Sequence, residues 1–284
     1  MEKNFAKKKR FILKYSDEKE PFSSRKLKKS IRKAGADSAL AGEIVQKIEK
    51  EKDLFHTKDI HKYTFAYLKK RDKALAARYN MKRAIAELGP TGFPFEKFVG
   101  ELLRHSGYRV KVGVVVAGQC ISHEIDVVAE KENEHFMIEC KFHNSHWIKS
   151  KVQTSLYIKA RFDDVKKLWI KKLGHDKKFH QAWIVTNTKF TSEATKFAEC
   201  VGVKLISWDY PKVGNLADMI DELGLHPVTV LTSLNKKQKM KLIEKGVVLC
   251  RDVAKNTGAL KQIGLNKNKI KNVLEESRIV CRLE

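Results

Sequence analysis

The chain has 284 residues, with 58 Lys+Arg against 34 Asp+Glu and a formal net charge of +24. Hydrophobic residues make up 42 %, enough for real cores, so global disorder is excluded and two or three domains are expected. No run approaches the ~20 apolar residues of a membrane span, and no apolar segment follows the basic N-terminus, so neither membrane insertion nor a secretory signal is expected.

Phe11-Ile12-Leu13 predicts a short strand, followed by a polar turn from Ser16 to Glu20. Ser23 or Ser24 can cap a helix with Leu27, Ile31 and Ala34 at helical spacing, closed by Gly35. A second helix is predicted near Ser38 to Lys52. A third, capped by Thr57, is predicted to run from Lys58 to Leu88, where Gly89-Pro90 stops it. Residues 1–90 thus read as one helix-rich unit with a small β element.

The pattern then changes. Phe95 to Ser106 is an amphipathic helix, followed by strands at Tyr108 to Val116, Glu124 to Ala129 and Phe136 to Phe142, with Glu130 to His135 as a turn. A helix from about Ile148 to Leu173, a strand at Ala182 to Thr186, a helix at Ser192 to Cys200 and a strand at Val203 to Trp208 complete residues 91–210. This order predicts a mixed sheet flanked by helices. Residues 211–284 read as short helices: Leu216 to Leu223, Lys236 to Lys245 capped by Asn235, and two or three more broken by Gly258 and Gly264. No period of about 20–50 residues recurs, which excludes a solenoid.

Charge is uneven across these segments. Residues 1–90 hold 25 basic and 12 acidic groups (+13), residues 91–210 hold 19 and 14 (+5), and residues 211–284 hold 14 and 8 (+6). The overall excess points to a polyanionic partner. Five dispersed cysteines show no zinc spacing; an odd count fits a reducing cytoplasm, with the thiols as buried small residues. The four tryptophans are expected in the core or in helix packing.

Chemistry concentrates at His123-Glu124-Ile125-Asp126-Val127-Val128 and Ile138-Glu139-Cys140-Lys141. Strand periodicity puts Glu139 and Lys141 on one face and Ile138, Cys140 and Phe142 on the other, and a hairpin brings Asp126 beside them. Paired carboxylates suit Mg²⁺, which can polarise a phosphoryl oxygen and lower the pKa of bound water. The lysine can orient that water or stabilise negative charge. Four acidic-x-Lys triplets occur, at Asp17, Glu139, Asp164 and Asp176, and only that at Glu139 lies in an apolar strand beside a second aspartate-bearing strand. A solvated ion pair is the competing reading. His123 and His143 flank the motif but are assigned no catalytic part.

Asp126…Glu139-x-Lys141 resembles the PD-(D/E)XK nuclease signature. Phe95-Glu96-Lys97-Phe98-Val99, Gly107-Tyr108, Gln153, Ile184-Val185-Thr186-Asn187 and the Gly202-Val203 to Ile206-Ser207 strand extend the likeness to Mrr-like restriction endonucleases over 91–210. The resemblance implies that Asp126 and Glu139 hold Mg²⁺ (or Mn²⁺) and that Lys141 assists the attacking water, with Glu96 and Gln153 supporting the site. Residues 1–90 resemble the ATP-cone through Ile12-Leu13-Lys14-Tyr15, Glu20-Pro21-Phe22, Lys26 to Ile31, Arg78-Tyr79 and Lys82-Arg83, although Tyr15 and Ser16-Asp17 depart from its pattern. That likeness implies ATP or dATP as an effector, contacted by Lys14 and Lys26; the competing reading is a solvated basic helix face that contacts only DNA phosphate. Ile263-Gly264-Leu265-Asn266, with Lys267, Lys269 and Lys271, resembles a helix-hairpin-helix that grips phosphates.

The expected fold is therefore multi-domain α/β. It comprises a helix-rich α+β ATP-cone (1–90), a restriction-endonuclease-like mixed sheet flanked by helices (91–210) and a small all-helical DNA-binding domain (211–284). The expected function is a nucleotide-regulated, metal-dependent DNA endonuclease in the cytoplasm, with DNA and a nucleotide as partners and dimerisation for double-strand cutting. The alternative is an ATP/dATP-responsive DNA-binding regulator with a non-catalytic nuclease fold. An RNA- or junction-directed nuclease shares the same core.

Overall fold

The computed structural model describes residues 10–14, 18–51, 53, 56–145, 147–171 and 179–281, with backbone alone at 169–171. Phe11 and Leu13, on either side of buried Ile12, form β1 (Phe11–Leu13), which pairs antiparallel with β2 (Lys19–Pro21). The Ser23 hydroxyl accepts the Lys26 N–H at 3.2 Å and starts α1 (Ser24–Lys33). Asp37 does the same for α2 (Ser38–Lys50), accepting from Leu40 at 2.7 Å. Next comes α3 (Thr57–Arg71), where Thr57 is the first helical residue rather than the cap, its hydroxyl donating to the Leu13 carbonyl at 3.2 Å.

The single helix expected from Lys58 to Leu88 is broken. Asp72 is extended, and its carboxylate accepts the N–H groups of Ala74 and Leu75 at 2.7 and 3.1 Å, opening α4 (Lys73–Tyr79); α5 (Met81–Ala86) follows. A carboxylate that bonds free amides at a helix start makes the break favourable within a run of otherwise good helix formers. Ile12, Leu27, Ile31, Ile44, Ile48, Ile60, Leu68 and Leu75 make one core from these elements.

The second region begins with α6 (Phe93–His105), then β3 (Arg109–Ala117), β4 (Ser122–Lys131), β5 (Glu134–Lys141) and β6 (Lys149–Ser150). It continues through α7 (Val152–Lys171), β7 (Phe179–Thr186), β8 (Lys189–Phe190), α8 (Ser192–Val201) and β9 (Lys204–Ile206). The five-stranded sheet has the order β3-β4-β5-β7-β9, antiparallel across the first three strands and parallel from β5 to β9; β6 pairs with β8. The β4–β5 turn is shorter than expected. Glu132 and Asn133 alone make it, both in the left-handed region (φ 52° and 63°), as a tight hairpin requires.

α6 lies against one face of this sheet. A Cβ on Gly100 would come within 2.9 Å of Val112, so glycine permits the close approach. On the other face, Ile158, Phe162 and Val165 of α7 and Ala198 of α8 pack with Ile125, Met137, Ile184 and Leu205. Strands β3 and β4 change faces midway. Val112 meets α6 while Val114 and Val116 join the α7 core, and Val127, opposite Val112, is followed on its other side by Ile125 in that same core. The switch falls at Gly113 (φ +65°) and Asp126, the facing positions that the β3–β4 ladder skips.

The C-terminal part comprises α9 (Leu216–Leu223), α10 (Lys236–Glu244), α11 (Thr257–Gln262) and α12 (Lys267–Cys281), with short 3-10 turns between them. Two equivalent starts stand out. Leu234-Asn235-Lys236 and Leu265-Asn266-Lys267 each bury the leucine, and each asparagine accepts the N–H three residues on, from Gln238 and Lys269, at 2.9 Å. Buried Glu276 ties α12 to the segment before α10, accepting from the Thr232 N–H and hydroxyl and from the Ser233 N–H.

The chain divides into two compact units, Met1–Met81 and Lys82–Glu284, and residues 211–284 belong to the second. Among the described residues no helix is long and apolar enough to cross a membrane. Cys140, Cys250 and Cys281 are buried as expected, but Cys120 and Cys200 are exposed, the first in the loop between β3 and β4 and the second on the outer side of α8. Trp183 is core; Trp147 instead is exposed, in the irregular segment after β5.

Candidate active site

Hydrogen bonding between β4 and β5 ends at Val127↔Ile138. One step further along the same register, Asp126 comes opposite Glu139. There the strands open, and the Cys140 N–H donates to Asp126 Oδ2 at 2.7 Å in place of a ladder partner. The face switch at Gly113 and Asp126 is thus what turns this carboxylate toward the end of β5. Strand β7 holds that end from its buried side. Lys141 pairs with Thr186, whose hydroxyl donates to the Lys141 carbonyl at 2.7 Å. Asn187 accepts the His143 N–H at 2.9 Å and donates to the His143 carbonyl at 2.7 Å.

From the other side α7 contributes Arg161. Its Nη1 donates to Glu139 Oε2 at 2.8 Å, its Nη2 donates to the Glu124 carbonyl, and its guanidinium lies 5.3 Å from the Tyr157 ring centroid. One buried cation therefore bridges β4 and β5 where their own ladder has stopped. Its Nε is buried without a hydrogen-bond partner.

The acids here are poorly accommodated as anions. Burial pushes the Glu139 carboxyl above its ordinary range, with the Asp126 charge adding to it and Arg161 and Lys141 opposing. Burial likewise raises Asp126, against the Cys140 N–H bond and the Arg161 charge. Glu96, in the first turn of α6, is pushed up to about 7, first by burial and then by the charges of Asp126, Glu139 and Glu124. Burial raises the Cys140 thiol as well. Desolvation together with like charge is the combination that marks functional carboxylates.

Of the sequence-predicted residues, the structure brings together Asp126, Glu139, Lys141 and Glu96, with Lys141 exposed at the end of β5. Gln153 is exposed in the first turn of α7 and makes none of the site's hydrogen bonds. Lys14 and Lys26 converge on one carboxylate, Glu20, at 2.9 and 3.5 Å. The hydrogen bond that Lys14 donates to Glu20 is the main reason that its amine is raised above its ordinary value. Tyr15, Ser16 and Asp17 lie outside the described residues. His123 is engaged by Asp164 at 2.8 Å and His143 by the Ser150 hydroxyl at 3.1 Å. The sequence reading missed Arg161, and it named Glu124, Thr186 and Asn187 without giving them a role. The one available signal was the spacing Gln153, Tyr157, Arg161, which places an arginine on a single face of the helix.

Among the described residues no three His, Cys, Asp or Glu side chains form a closed metal-binding set. Mg²⁺ does not require one, since it is commonly held by one or two carboxylates, with waters and substrate phosphate completing its shell. Asp126 and Glu139 provide such a pair, and a divalent cation would relieve the repulsion that disfavours their ionised forms. The donor set fits Mg²⁺ or Mn²⁺.

Residues 90–216 match the restriction endonuclease family model, and residues 226–281 match the AF1548-like C-terminal family. An uncharacterized protein of Archaeoglobus fulgidus is 40 % identical over 183 residues, covering 64 % of this chain and 99 % of that protein. The chain belongs to the AF1548-like family. The crystal structure of the protein of unknown function AF1548 superposes with a TM-score of 0.56 at 38 % identity, over 68 % of this chain and all of that one. The MspJI restriction endonuclease bound to a 27-mer oligonucleotide gives a TM-score of 0.29 at 16 % identity, over 58 % of this chain and 32 % of that one, too slight to bear on function. In this AF1548-like chain, Glu96, Asp126, Glu139, Lys141 and Arg161 all fall inside the restriction endonuclease match, whose flanked mixed sheet is consistent with that fold. The Met1–Met81 unit falls outside both matched ranges.

Proposed function

We propose that this chain is a metal-dependent DNA endonuclease. The observation that carries the reading is the convergence of Asp126, Glu139 and Lys141 where β4 and β5 part, with both acids disfavoured as anions by burial. The match of residues 90–216 to restriction endonucleases supports DNA as the substrate class.

When bound, Mg²⁺ or Mn²⁺ supplies Lewis-acid polarisation of the scissile phosphate and a more acidic water. Asp126 and Glu139 would hold it. Asp126 is fixed by the Cys140 N–H and Glu139 by Arg161, so neither side chain must be ordered during the reaction. Lys141, at the open end of its strand, orients the attacking water and neutralises charge developing on the phosphoryl oxygens. Glu96, its carboxyl pushed up to about 7, is about half protonated at neutral pH and in that form can donate a hydrogen bond at the site.

Cleavage of supercoiled plasmid with Mg²⁺ tests this, with wild type beside Glu139→Ala and Lys141→Ala. Nicked and linear products with wild type, and a loss of at least about 100-fold in each variant, are expected. Plasmid left intact by wild type with Mg²⁺ and with Mn²⁺ sinks the reading. The same reading places an ATP or dATP effector at Lys14 and Lys26, where it must displace Glu20. Equal cleavage rates with and without either nucleotide would remove that part alone.

A further inference from the structure

The Met1–Met81 unit is assigned by neither matched family, yet it carries a dense run of cations: six of the nine residues from Arg25 to Lys33 are Lys or Arg. On α1, Leu27 and Ile31 face the core. That leaves Arg25, Lys28, Lys29, Arg32 and Lys33 lining an open groove of about 620 Å³, completed by Gly35 and Ala36. α1 contains no acidic residue, and none of the five joins an ion pair among the described residues, whereas Lys14 and Lys26 are drawn to Glu20.

Like charges at helical spacing, as at Arg25 and Lys29, Lys28 and Arg32, and Lys29 and Lys33, cost a helix a few tenths of a kcal/mol per pair. Only Arg32 and Lys33, in the last turn, are favoured by the helix dipole. A surface that leaves such repulsion standing is matched by an external polyanion. From Arg25 to Lys33 the helix rises roughly 12 Å at 1.5 Å per residue. With one phosphate on each strand per ~3.4 Å of duplex axis, that length spans three or four phosphates of a strand. A nucleoside triphosphate matches less well, because the cations extend beyond its phosphate chain and, among the described residues, no aromatic side chain lines the groove to stack a base.

We propose that this face of α1 binds the phosphodiester backbone of duplex DNA without reading bases. The choice of DNA among polyanions rests on the nuclease reading above. The contact would position DNA and set affinity, while sequence selection, if any, resides elsewhere.

The test is fluorescence anisotropy of a labelled duplex of about 30 bp against the full chain in EDTA, titrated across about 50–300 mM KCl. In the variant R25Q/K28Q/K29Q/R32Q/K33Q, glutamine preserves helix propensity, and circular dichroism confirms the fold. Affinity near 100 mM KCl should fall at least about tenfold, and the slope of log K against log salt should shrink by about 2.7 to 3.6, at ~0.9 per phosphate contact. The charge-preserving variant K28R/K29R/K33R should bind as wild type does. An unchanged slope and affinity in the glutamine variant overturns the proposal. So does a variant that loses ATP binding but keeps DNA binding, since the groove would then be a nucleotide site. Because EDTA suppresses chemistry, a chain that binds in this way but never cuts plasmid would retain this proposal and lose the nuclease reading.

Discussion

Glu96 shows how much of the site's chemistry depends on neighbours that its own sequence context does not reveal. In the sequence only the family likeness singles it out; the fold buries it and sets Asp126, Glu139 and Glu124 around it, which pushes its carboxyl up to about 7. A folded-state value above the ordinary 4.5 means that the folded form holds the proton more tightly than the unfolded one. Its contribution to stability is therefore complete below about pH 4.5 and is lost as pH rises through 7. In EDTA, Glu96→Gln should melt at the same temperature as wild type near pH 4.5 and higher than wild type at pH 8. A melting difference independent of pH would show that Glu96 keeps its ordinary acidity. Asp126 and Glu139 are shifted in the same direction, so in the metal-free chain these two carboxyls also contribute less stability as pH rises through their folded-state values, and added Mg²⁺ should offset that loss.

At the level of elements, the site exists because two strands fail to pair. β4 and β5 run in register up to Val127↔Ile138, and beyond that point side chains replace the ladder: Asp126 takes the Cys140 N–H, and Arg161 of α7 joins Glu139 to the Glu124 carbonyl. Arg161 is 9 % exposed and the Glu139 side chain 17 %, so removing Arg161 leaves a largely buried Glu139 with Lys141 as its remaining cation. Breaking a buried pair in this way costs about 3–5 kcal/mol. Urea denaturation at pH 8 should show Arg161→Ala destabilised by about 3 kcal/mol. Adding Glu139→Gln to that variant should recover part of the loss, and no recovery would mean that the guanidinium serves packing rather than charge. Helix boundaries follow the same logic of local satisfaction. Asp72 ends one helix and begins another because its carboxylate bonds two free amides, a preference visible in the sequence but outweighed there by the apolar spacing on either side.

For the whole molecule, the two compact units and the family matches divide the chain in a consistent way: the matched ranges, 90–216 and 226–281, both lie within Lys82–Glu284. The AF1548 structure covers 68 % of this chain with the whole of its own length. A chain beginning at Lys82 should therefore fold by itself and unfold in one cooperative transition followed by circular dichroism. Broad, non-cooperative melting would show that it depends on the first unit. Much of this was legible beforehand. Alternating apolar residues placed Glu139 and Lys141 together, because side-chain direction in a strand depends only on parity, and the helix-strand order was enough to indicate a flanked mixed sheet. Net charge and its concentration in the first 90 residues were likewise matters of counting. The tertiary structure alone decided that Arg161, 22 positions beyond Glu139, would be its partner, and that Glu96 would share its field. It alone showed Gln153 exposed and outside the site's hydrogen bonds, and Lys14 and Lys26 sharing Glu20. The physical reason is range: propensity and periodicity are set by near neighbours along the chain, whereas desolvation and charge pairing depend on distance in space, which only the packed fold defines.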